Sequence, residues 1–372
     1  MKIVVYVQVM SSFVNCFPFV AKLVLHQQHK TRIPQSIHLI FILKQHIMRH
    51  QFRTSSLVIL GLLQILTVSL FVTSCSNVKV EARSDKETDS SNTPLPNATN
   101  AKNRFAEIDG RKIAYRSVGT GTAMILCNRF RGNLDVWDPA FLDALAKDYQ
   151  VIIFDYSGFG LSTGSPATDM MGFAKDVKDL ASSLGIKKFV IGGWSFGGAV
   201  AQIVTTEMPD LVSHAILIGT RPPGKFNHKP EQIFLERSSK PVNDLEDEII
   251  LFFEPTSEIS KKRAEESHQR IAARTKDRDS VIAQSVWPNY VMGFADFEKD
   301  PYNARQKLSR TNIPVLVISA DHEVVFPPEN WFELNRKMAT TQLVIIPQSG
   351  HGPHHQYPDM AADYIHAFIQ HQ

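Results

Sequence analysis

Phe-Val-Ile-Gly-Gly-Trp-Ser-Phe-Gly-Gly-Ala, residues 189–199, is the stretch that decides the fold of this chain. Three apolar residues typical of a buried strand lead into a glycine-rich turn, and the small residues typical of a helix start follow. Within the turn, Gly193 to Gly197 has the spacing G-x-S-x-G, which predicts Ser195 on a sharp strand-to-helix turn. The two glycines are needed because such a crowded turn leaves no room for side chains. The stretch therefore predicts a nucleophilic serine at the end of a central strand.

Short apolar runs and amphipathic stretches alternate along the rest of the chain after residue 103. A β-hairpin is predicted first, around the Asp109-Gly110 turn. Buried strands are then predicted at 123–127, 151–154, 189–191, 215–218, 315–318 and 343–346. Continuous runs of this kind between helices indicate a mostly parallel sheet covered on both faces. The fold class is therefore α/β, with an eight-stranded sheet made of the hairpin and these six strands.

The strand signal lapses between about residues 222 and 310, where the sequence is charged and rich in helix-forming patterns. We interpret this segment as a helical lid inserted over the carboxyl ends of the strands. Ligands of open α/β sheets bind at those ends, so the lid is expected to cover the site.

A serine nucleophile needs a base, and the base needs a carboxylate to orient it. The last predicted strand runs into Gln-Ser-Gly-His-Gly, which makes His351 the candidate base. His354 and His355 follow closely and are expected to be loop-surface residues. The candidate acids are Asp321 and Glu323, which stand two residues apart after the strand at 315–318.

The order of serine turn, acid loop and histidine resembles the α/β-hydrolase family over essentially all of residues 104–372. The resemblance implies the α/β-hydrolase fold and a serine, histidine and acid triad. In that family the acid usually stands four residues before a proline, which corresponds here to Glu323 before Pro327. The chain departs from the pattern in having Ala320 for a glycine and glutamate for the usual aspartate. We prefer Glu323 as the acid, with Asp321 as the alternative.

The same resemblance implies an oxyanion hole made of two backbone N–H groups. One belongs to Phe196, the residue after the nucleophile. By register the other belongs to Phe130, in a loop that reads Arg-Phe-Arg-Gly where the family commonly begins His-Gly. The flanking Arg129 and Arg131 are expected to form salt bridges with neighbouring carboxylates, and binding of an acidic substrate group is the alternative.

Residues 48–75 carry a targeting pattern. A cationic start is followed by an apolar core of about sixteen residues at 57–72 and by small residues before Cys75. The sequence Val-Thr-Ser-Cys at 72–75 resembles the lipobox of bacterial lipoproteins, which implies cleavage of the 48–74 signal peptide and lipidation of Cys75. An uncleaved anchor or an ordinary cleaved signal is the alternative, although the apolar run falls below the roughly twenty residues of a spanning helix. The expected location is the bacterial cell envelope, with the catalytic domain held at a membrane outside the cytoplasm.

The remaining boundaries follow from composition. Residues 1–47 are interpreted as an over-extended start, with translation from Met48, or as an extra apolar segment. Residues 75–103 are polar and rich in Ser, Asn, Thr and Pro, which indicates a flexible tether. Residues 104–372 form the predicted hydrolase domain.

Charge and cysteine content exclude several classes of partner. Residues 104–372 carry twenty-nine Lys/Arg against thirty-three Asp/Glu, whereas residues 1–103 carry eleven against four. A mildly acidic folded part does not offer the concentrated basic face that nucleic acid needs. The three cysteines, Cys16, Cys75 and Cys127, stand in separate contexts and make no metal site. No cofactor or metal is expected.

Two functions of different classes fit this sequence. The preferred one is a serine hydrolase that acts on small ester-type substrates through an acyl-enzyme, with carboxylesterase as the default activity. Lactonase, amidase, perhydrolase and carbon–carbon bond hydrolase activities remain related possibilities. The alternative is a non-catalytic ligand-binding protein on the same fold, because fold alone does not determine function.

Overall fold

The computed structural model of the chain describes residues 97–371. The predicted over-extended start at 1–47, the predicted signal peptide, the predicted lipidation site Cys75 and most of the predicted tether lie outside these residues. Among the described residues, no helix is long and apolar enough to cross a membrane.

A central sheet of eight strands confirms the predicted α/β fold class. The strands are β1 (Arg104–Ile108), β2 (Arg111–Val118), β3 (Thr122–Cys127), β4 (Tyr149–Phe154), β5 (Phe189–Trp194), β6 (Val212–Ile218), β7 (Val315–Ala320) and β8 (Thr341–Ile346). Their order across the sheet is β1-β2-β4-β3-β5-β6-β7-β8. The β1–β2 and β2–β4 pairs are antiparallel, and the remaining pairs are parallel.

Helices flank the sheet and connect its strands. They are α1 (Pro139–Leu145), α2 (Met170–Ser183), α3 (Phe196–Glu207), α4 (Gln232–Ser238), α5 (Leu245–Phe252), α6 (Glu258–Ala272), α7 (Trp287–Lys299), α8 (Ala304–Arg310), α9 (Glu329–Phe332), α10 (Pro353–Gln356) and α11 (Pro358–Gln370). Helices α4 to α8 lie between β6 and β7 in the chain, and this fully described stretch contains no strand. The helical character of the segment is as expected, and its role as a lid stays a prediction.

The core explains why the strands read as continuous apolar runs. Every residue of β5 is buried, and successive side chains point to opposite faces of the sheet. Ile191 joins one apolar cluster, which contains α2 and α3, while Val190 joins the other, which contains α1 and α11. A strand covered on both faces has no solvent side and therefore no polar alternation.

The folded part begins earlier than the sequence indicates. The composition predicts a flexible tether up to residue 103, yet Ala98 and Ala101 are buried in the cluster beside α1. The Ala98 N–H donates to Asp143 at 2.7 Å, and Arg274 donates to the carbonyls of Thr99 and Ala101, each at 2.8 Å. Contacts with residues far along the chain therefore attach this polar segment to the folded part.

Candidate active site

Ser195 joins strand β5 to helix α3 in a rare backbone conformation, with φ 59° and ψ −116°. A non-glycine residue at such a φ is strained, and strain of this kind concentrates at functional sites. A Cβ at Gly193 would lie 2.1 Å from the Gly197 carbonyl oxygen, and one at Gly197 would lie 1.9 Å from the Cys127 carbonyl oxygen. Backbone contacts therefore exclude any side chain two residues before and two residues after Ser195.

The structure brings His351 and Glu323 together. The His351 Nδ1 lies 2.7 Å from Oε1 and 2.8 Å from Oε2 of Glu323, and both side chains are almost fully buried. The Glu323 carboxylate also accepts from the N–H groups of Val325 at 3.0 Å and Phe326 at 3.3 Å. Because Nδ1 faces a carboxylate, it carries the proton of the neutral ring, and Nε2 is left as the proton acceptor.

The second candidate acid lies elsewhere. Asp321 is exposed, and its carboxylate accepts a hydrogen bond from the Ser349 N–H at 3.2 Å. Of the two carboxylates, therefore, Glu323 contacts His351 and Asp321 caps the neighbouring loop.

Two residues that the sequence did not single out lie against this pair. The Trp194 indole Nε1 donates to the His351 carbonyl oxygen at 2.7 Å. Gly219 follows β6 with φ +50°, and a Cβ there would lie 3.0 Å from the His351 Nδ1 and 3.1 Å from the Glu323 Oε2. The only sequence signal for Gly219 was its place directly after a buried strand.

Ser195 and His351 face a common space. Both line a small cavity together with Arg129, Phe130 and Phe252. Among residues 97–371 the Ser195 hydroxyl has no hydrogen-bond partner. Such bonds are often long in a free enzyme and shorten when substrate binds.

The two backbone N–H groups expected to form an oxyanion hole are those of Phe130 and Phe196. Phe196 is the first residue of α3, so its N–H has no intrahelical acceptor. Neither N–H donates to any atom in the part of the chain that the structure describes. Phe130 lines the same cavity as Ser195. The arrangement leaves two donors available at this end of the sheet.

The predicted salt bridges of Arg129 and Arg131 are wrong, since within residues 97–371 neither guanidinium pairs with a carboxylate. Arg131 stacks 4.1 Å from the centre of the Trp287 ring and donates to carbonyl oxygens at the end of α4 and just after it. Arg129 donates to the Phe130 carbonyl at 2.7 Å, and burial lowers its pKa to about 10. The acceptors of Arg131 are the carbonyls of Ser238, Lys240 and Pro241.

His354 and His355 are not surface residues, which corrects the expectation for them. Both are buried in the short helix α10. The His354 ring packs edge-on against Trp194 and Phe141, with centroids at 4.7 and 5.0 Å. Burial lowers the pKa of His355 to about 4 and that of His354 well below its usual value. These rings act as apolar packing beside the candidate base.

A larger cavity of about 290 Å³ opens from Ser195. Its walls are mainly aromatic and aliphatic, which suits the apolar part of a small-molecule substrate. Tyr290 and Phe294 of α7 line it. The other lining residues are Phe130, Arg221, Phe226, Pro230, Phe234, Ser238, Val291, Glu298, Val325 and Phe326.

The described residues hold no cluster of three or more His, Cys, Asp or Glu side chains arranged for a metal ion. Cys127, the one cysteine among them, is a buried free thiol whose pKa is raised by burial.

Comparisons with known proteins identify the fold family of the chain. A family model described as alpha/beta hydrolase fold matches residues 122–358. A protein of Synechocystis sp. named as a non-heme chloroperoxidase is 27% identical over 286 residues, covering 74% of this chain and all of the relative. A proline iminopeptidase of Pestalotiopsis fici is 24% identical, and the matched region covers 72% of this chain and 99% of the iminopeptidase. The solved structure of an alpha/beta hydrolase fold protein from Chitinophaga pinensis superposes with a TM-score of 0.66 at 25% sequence identity. The superposition covers 74% of this chain and all of the Chitinophaga pinensis chain.

Proposed function

The chain belongs to the α/β hydrolase fold family, and we propose that it acts as a serine hydrolase of carboxylic esters. In this proposal Ser195 is the nucleophile, His351 the general base and acid, and Glu323 the carboxylate that orients His351. Asp321 has no catalytic role.

The reaction consumes one ester and one water. Ser195 Oγ attacks the ester carbonyl carbon while Nε2 of His351 takes the hydroxyl proton. The bond between the carbonyl carbon and the alcohol oxygen then breaks, and His351 returns the proton to the departing alcohol. Water attacks the resulting acyl-enzyme, gives a proton to His351, and releases the carboxylic acid as Ser195 regains its hydrogen. The net products are one acid and one alcohol.

In this proposal, two backbone N–H groups and one carboxylate stabilise the charges that develop during both steps. The backbone N–H groups of Phe130 and Phe196 would donate to the oxyanion that forms in each step. Glu323 would stabilise the positive charge on His351 when the ring becomes imidazolium.

One observation carries this proposal. The strained Ser195 shares a cavity with a histidine whose Nδ1 is 2.7 Å from a buried carboxylate. A non-catalytic binding protein would not need a buried carboxylate to fix the tautomer of a histidine beside a strained serine.

The test is hydrolysis of a panel of aryl esters with acyl chains of graded length, measured for the wild type and Ser195→Ala. We expect turnover in the wild type and a loss of about three orders of magnitude or more in the variant, because triad members act as a unit. Ester hydrolysis that survives in Ser195→Ala would contradict the proposal, as would a folded wild type that cleaves none of the esters.

We further propose that the protein acts at a bacterial membrane. The cationic start, the apolar run at 57–72 and the lipobox-like residues 72–75 support cleavage before Cys75 and its lipidation. The polar segment after Cys75 would then tether the hydrolase domain to the envelope outside the cytoplasm.

A further inference from the structure

Arg221 stands in the wall of the 290 Å³ cavity that opens from Ser195. It follows β6 by three residues, and only 2% of its surface is exposed. A guanidinium buried to this extent in a cavity with aromatic walls is unusual, because charged side chains are almost never fully buried unless paired.

The hydrogen bonds of Arg221 use one side of the guanidinium. Its Nη1 donates to the carbonyl oxygens of Pro222 at 3.0 Å and Gly224 at 2.8 Å. Its Nε is buried and has no partner among the described residues. Its Nη2 makes no hydrogen bond there either, since Glu298 Oε2, its salt-bridge neighbour, is 3.9 Å away. The edge formed by Nε and Nη2 therefore keeps unused donors.

This edge has a preferred ligand. Two parallel N–H groups of a guanidinium match the two oxygens of a carboxylate, and such a bidentate pair is strong in a site that excludes water. The Phe226 ring lies 3.9 Å from the guanidinium carbon and limits the freedom of the side chain. Burial lowers the pKa of Arg221 to about 10, so the group remains charged near neutral pH.

The cavity that Ser195 and Arg221 both line is mostly apolar, and its other polar lining residues are Ser238 and Glu298. A ligand that reaches both residues therefore needs an apolar middle section and two polar ends. The apolar lining residues of the cavity include Phe130, Phe234, Tyr290, Phe294, Val325 and Phe326.

We propose that the substrate is an ester with a carboxylate at the far end of an apolar arm, and that the Nε–Nη2 edge of Arg221 binds this carboxylate while Ser195 attacks the ester. This inference rests on the proposed ester hydrolase function and adds the substrate class to it. Arg221 is a specificity-determining residue in this account.

Glu298 is the competitor of the substrate carboxylate. The Glu298 side chain is 46% exposed and lines the cavity. It can therefore rotate out toward the solvent when an anion binds. Arg305 is the other charged group that acts on Arg221, and it adds positive potential. Arg305 donates to the Pro223 carbonyl at 2.9 Å and pairs with Glu333, and it does not line the cavity.

The test compares matched substrates. The p-nitrophenyl half-esters of succinate, glutarate and adipate carry a free carboxylate, and neutral p-nitrophenyl acyl esters of the same chain length do not. A second substrate pair consists of an acetate ester whose alcohol part carries a carboxylate and a neutral acetate ester of the same length. The quantity measured is the ratio of kcat/KM for the anionic and the neutral member of each pair.

We expect the best anionic substrate to be preferred by about tenfold or more in the wild type, and Arg221→Met to lower this ratio by at least about tenfold. Arg221→Lys is expected to fall between them, because it keeps the charge without the fork. A ratio is used because any general damage to the loop after β6 affects both members of a pair.

Two further variants keep the test decisive if Arg221→Met folds poorly. Glu298→Gln removes the competing charge, and we expect it to raise the ratio. Arg305→Met removes a nearby charge outside the cavity, and we expect a change of less than about threefold.

The inference is overturned if esters are hydrolysed without preference for the anionic member, or if Arg221→Met and Arg305→Met lower the ratio equally. Absence of hydrolysis of every ester by the folded wild type would instead contradict the ester hydrolase function itself.

Discussion

Both carboxylate oxygens of Glu323 lie within hydrogen-bonding distance of the His351 Nδ1, at 2.7 and 2.8 Å. Asp321, two residues earlier, is exposed and contacts the Ser349 N–H instead. The side chains of these two acids therefore serve different parts of the loop after β7, and substitution should separate their roles.

We predict that Glu323→Gln lowers kcat by about a hundredfold or more, because the amide stabilises the imidazolium poorly and no longer enforces the tautomer. Asp321→Asn is the matched control, and we expect a loss of less than about tenfold. Glu323→Asp should fall between the two, since its carboxylate is set back by one carbon. Steady-state kinetics on an ester substrate measure all three. The reverse ranking of Glu323→Gln and Asp321→Asn would assign the acid role to Asp321.

Gly219 provides a steric test of the His351–Glu323 pair. In Gly219→Ala the new methyl group would meet the His351 carbonyl oxygen at 2.8 Å and crowd the His351–Glu323 contact. The control is Gly185→Ala, since Gly185 also has a positive φ, of +69°, but has open space around its Cβ position. Both variants should lose about 1 kcal/mol or more of stability from backbone strain.

Only Gly219→Ala is expected to lose activity by more than about tenfold, because only there does the methyl group displace the base. Thermal unfolding and kcat measured on the same samples separate the two effects. Equal activity in the two variants would mean that the position of His351 tolerates the added methyl group.

The buried histidines of α10 predict a dependence of stability on pH. The pKa of His355 is about 4 in the folded chain, and that of His354 is also lowered, whereas an unfolded histidine titrates near 6.5. Below about pH 6.5 the unfolded state therefore binds more protons than the folded state, and stability falls as the pH decreases toward 4.

His354→Leu removes one of these groups from an environment that is already aromatic. We expect the variant to lose less stability than the wild type between about pH 7 and pH 5, measured by chemical denaturation. His371→Leu, at the exposed end of the chain, is the control and should follow the wild type. If His354→Leu and the wild type lose the same stability, His354 does not contribute to the acid sensitivity.

The proposed lipid anchor at Cys75 has its own test. Expressed in a bacterium, the wild type should partition with membranes and carry lipid on Cys75 at its mature N-terminus. Cys75→Ser should accumulate as an unprocessed precursor, because the lipobox requires the thiol. Membrane fractionation and N-terminal mass spectrometry distinguish these forms, and a mature N-terminus downstream of Cys75 without lipid would contradict the proposal.

The strands of the sheet could be predicted from the sequence because the burial of each strand is visible in its own run of residues. Strand β5 is buried on both faces, so all of its residues had to be apolar or glycine, and the run is visible in the sequence. Gly193 and Gly197 were equally predictable, since the spacing around Ser195 reflects backbone contacts within one turn and with the end of β3.

Contacts between distant residues explain what the sequence did not reveal. His354 follows a glycine and a proline and looks like a loop residue, yet Trp194 and Phe141, far earlier in the chain, enclose its ring. Arg131 satisfies carbonyls more than a hundred residues away, as in its bond to Ser238. Residue type and spacing do not indicate such distant contacts. For the same reason the spacing to Pro327 favoured Glu323 without indicating where either carboxylate points.

Covalent labelling of the nucleophile tests the central claim most directly. The folded protein would be incubated with a fluorophosphonate probe, and the labelled peptide identified by mass spectrometry in the wild type and in Ser195→Ala. The account predicts one probe per chain, attached to the Ser195 oxygen, and no labelling of the variant. Attachment at another residue, or a folded wild type that does not react, would contradict it.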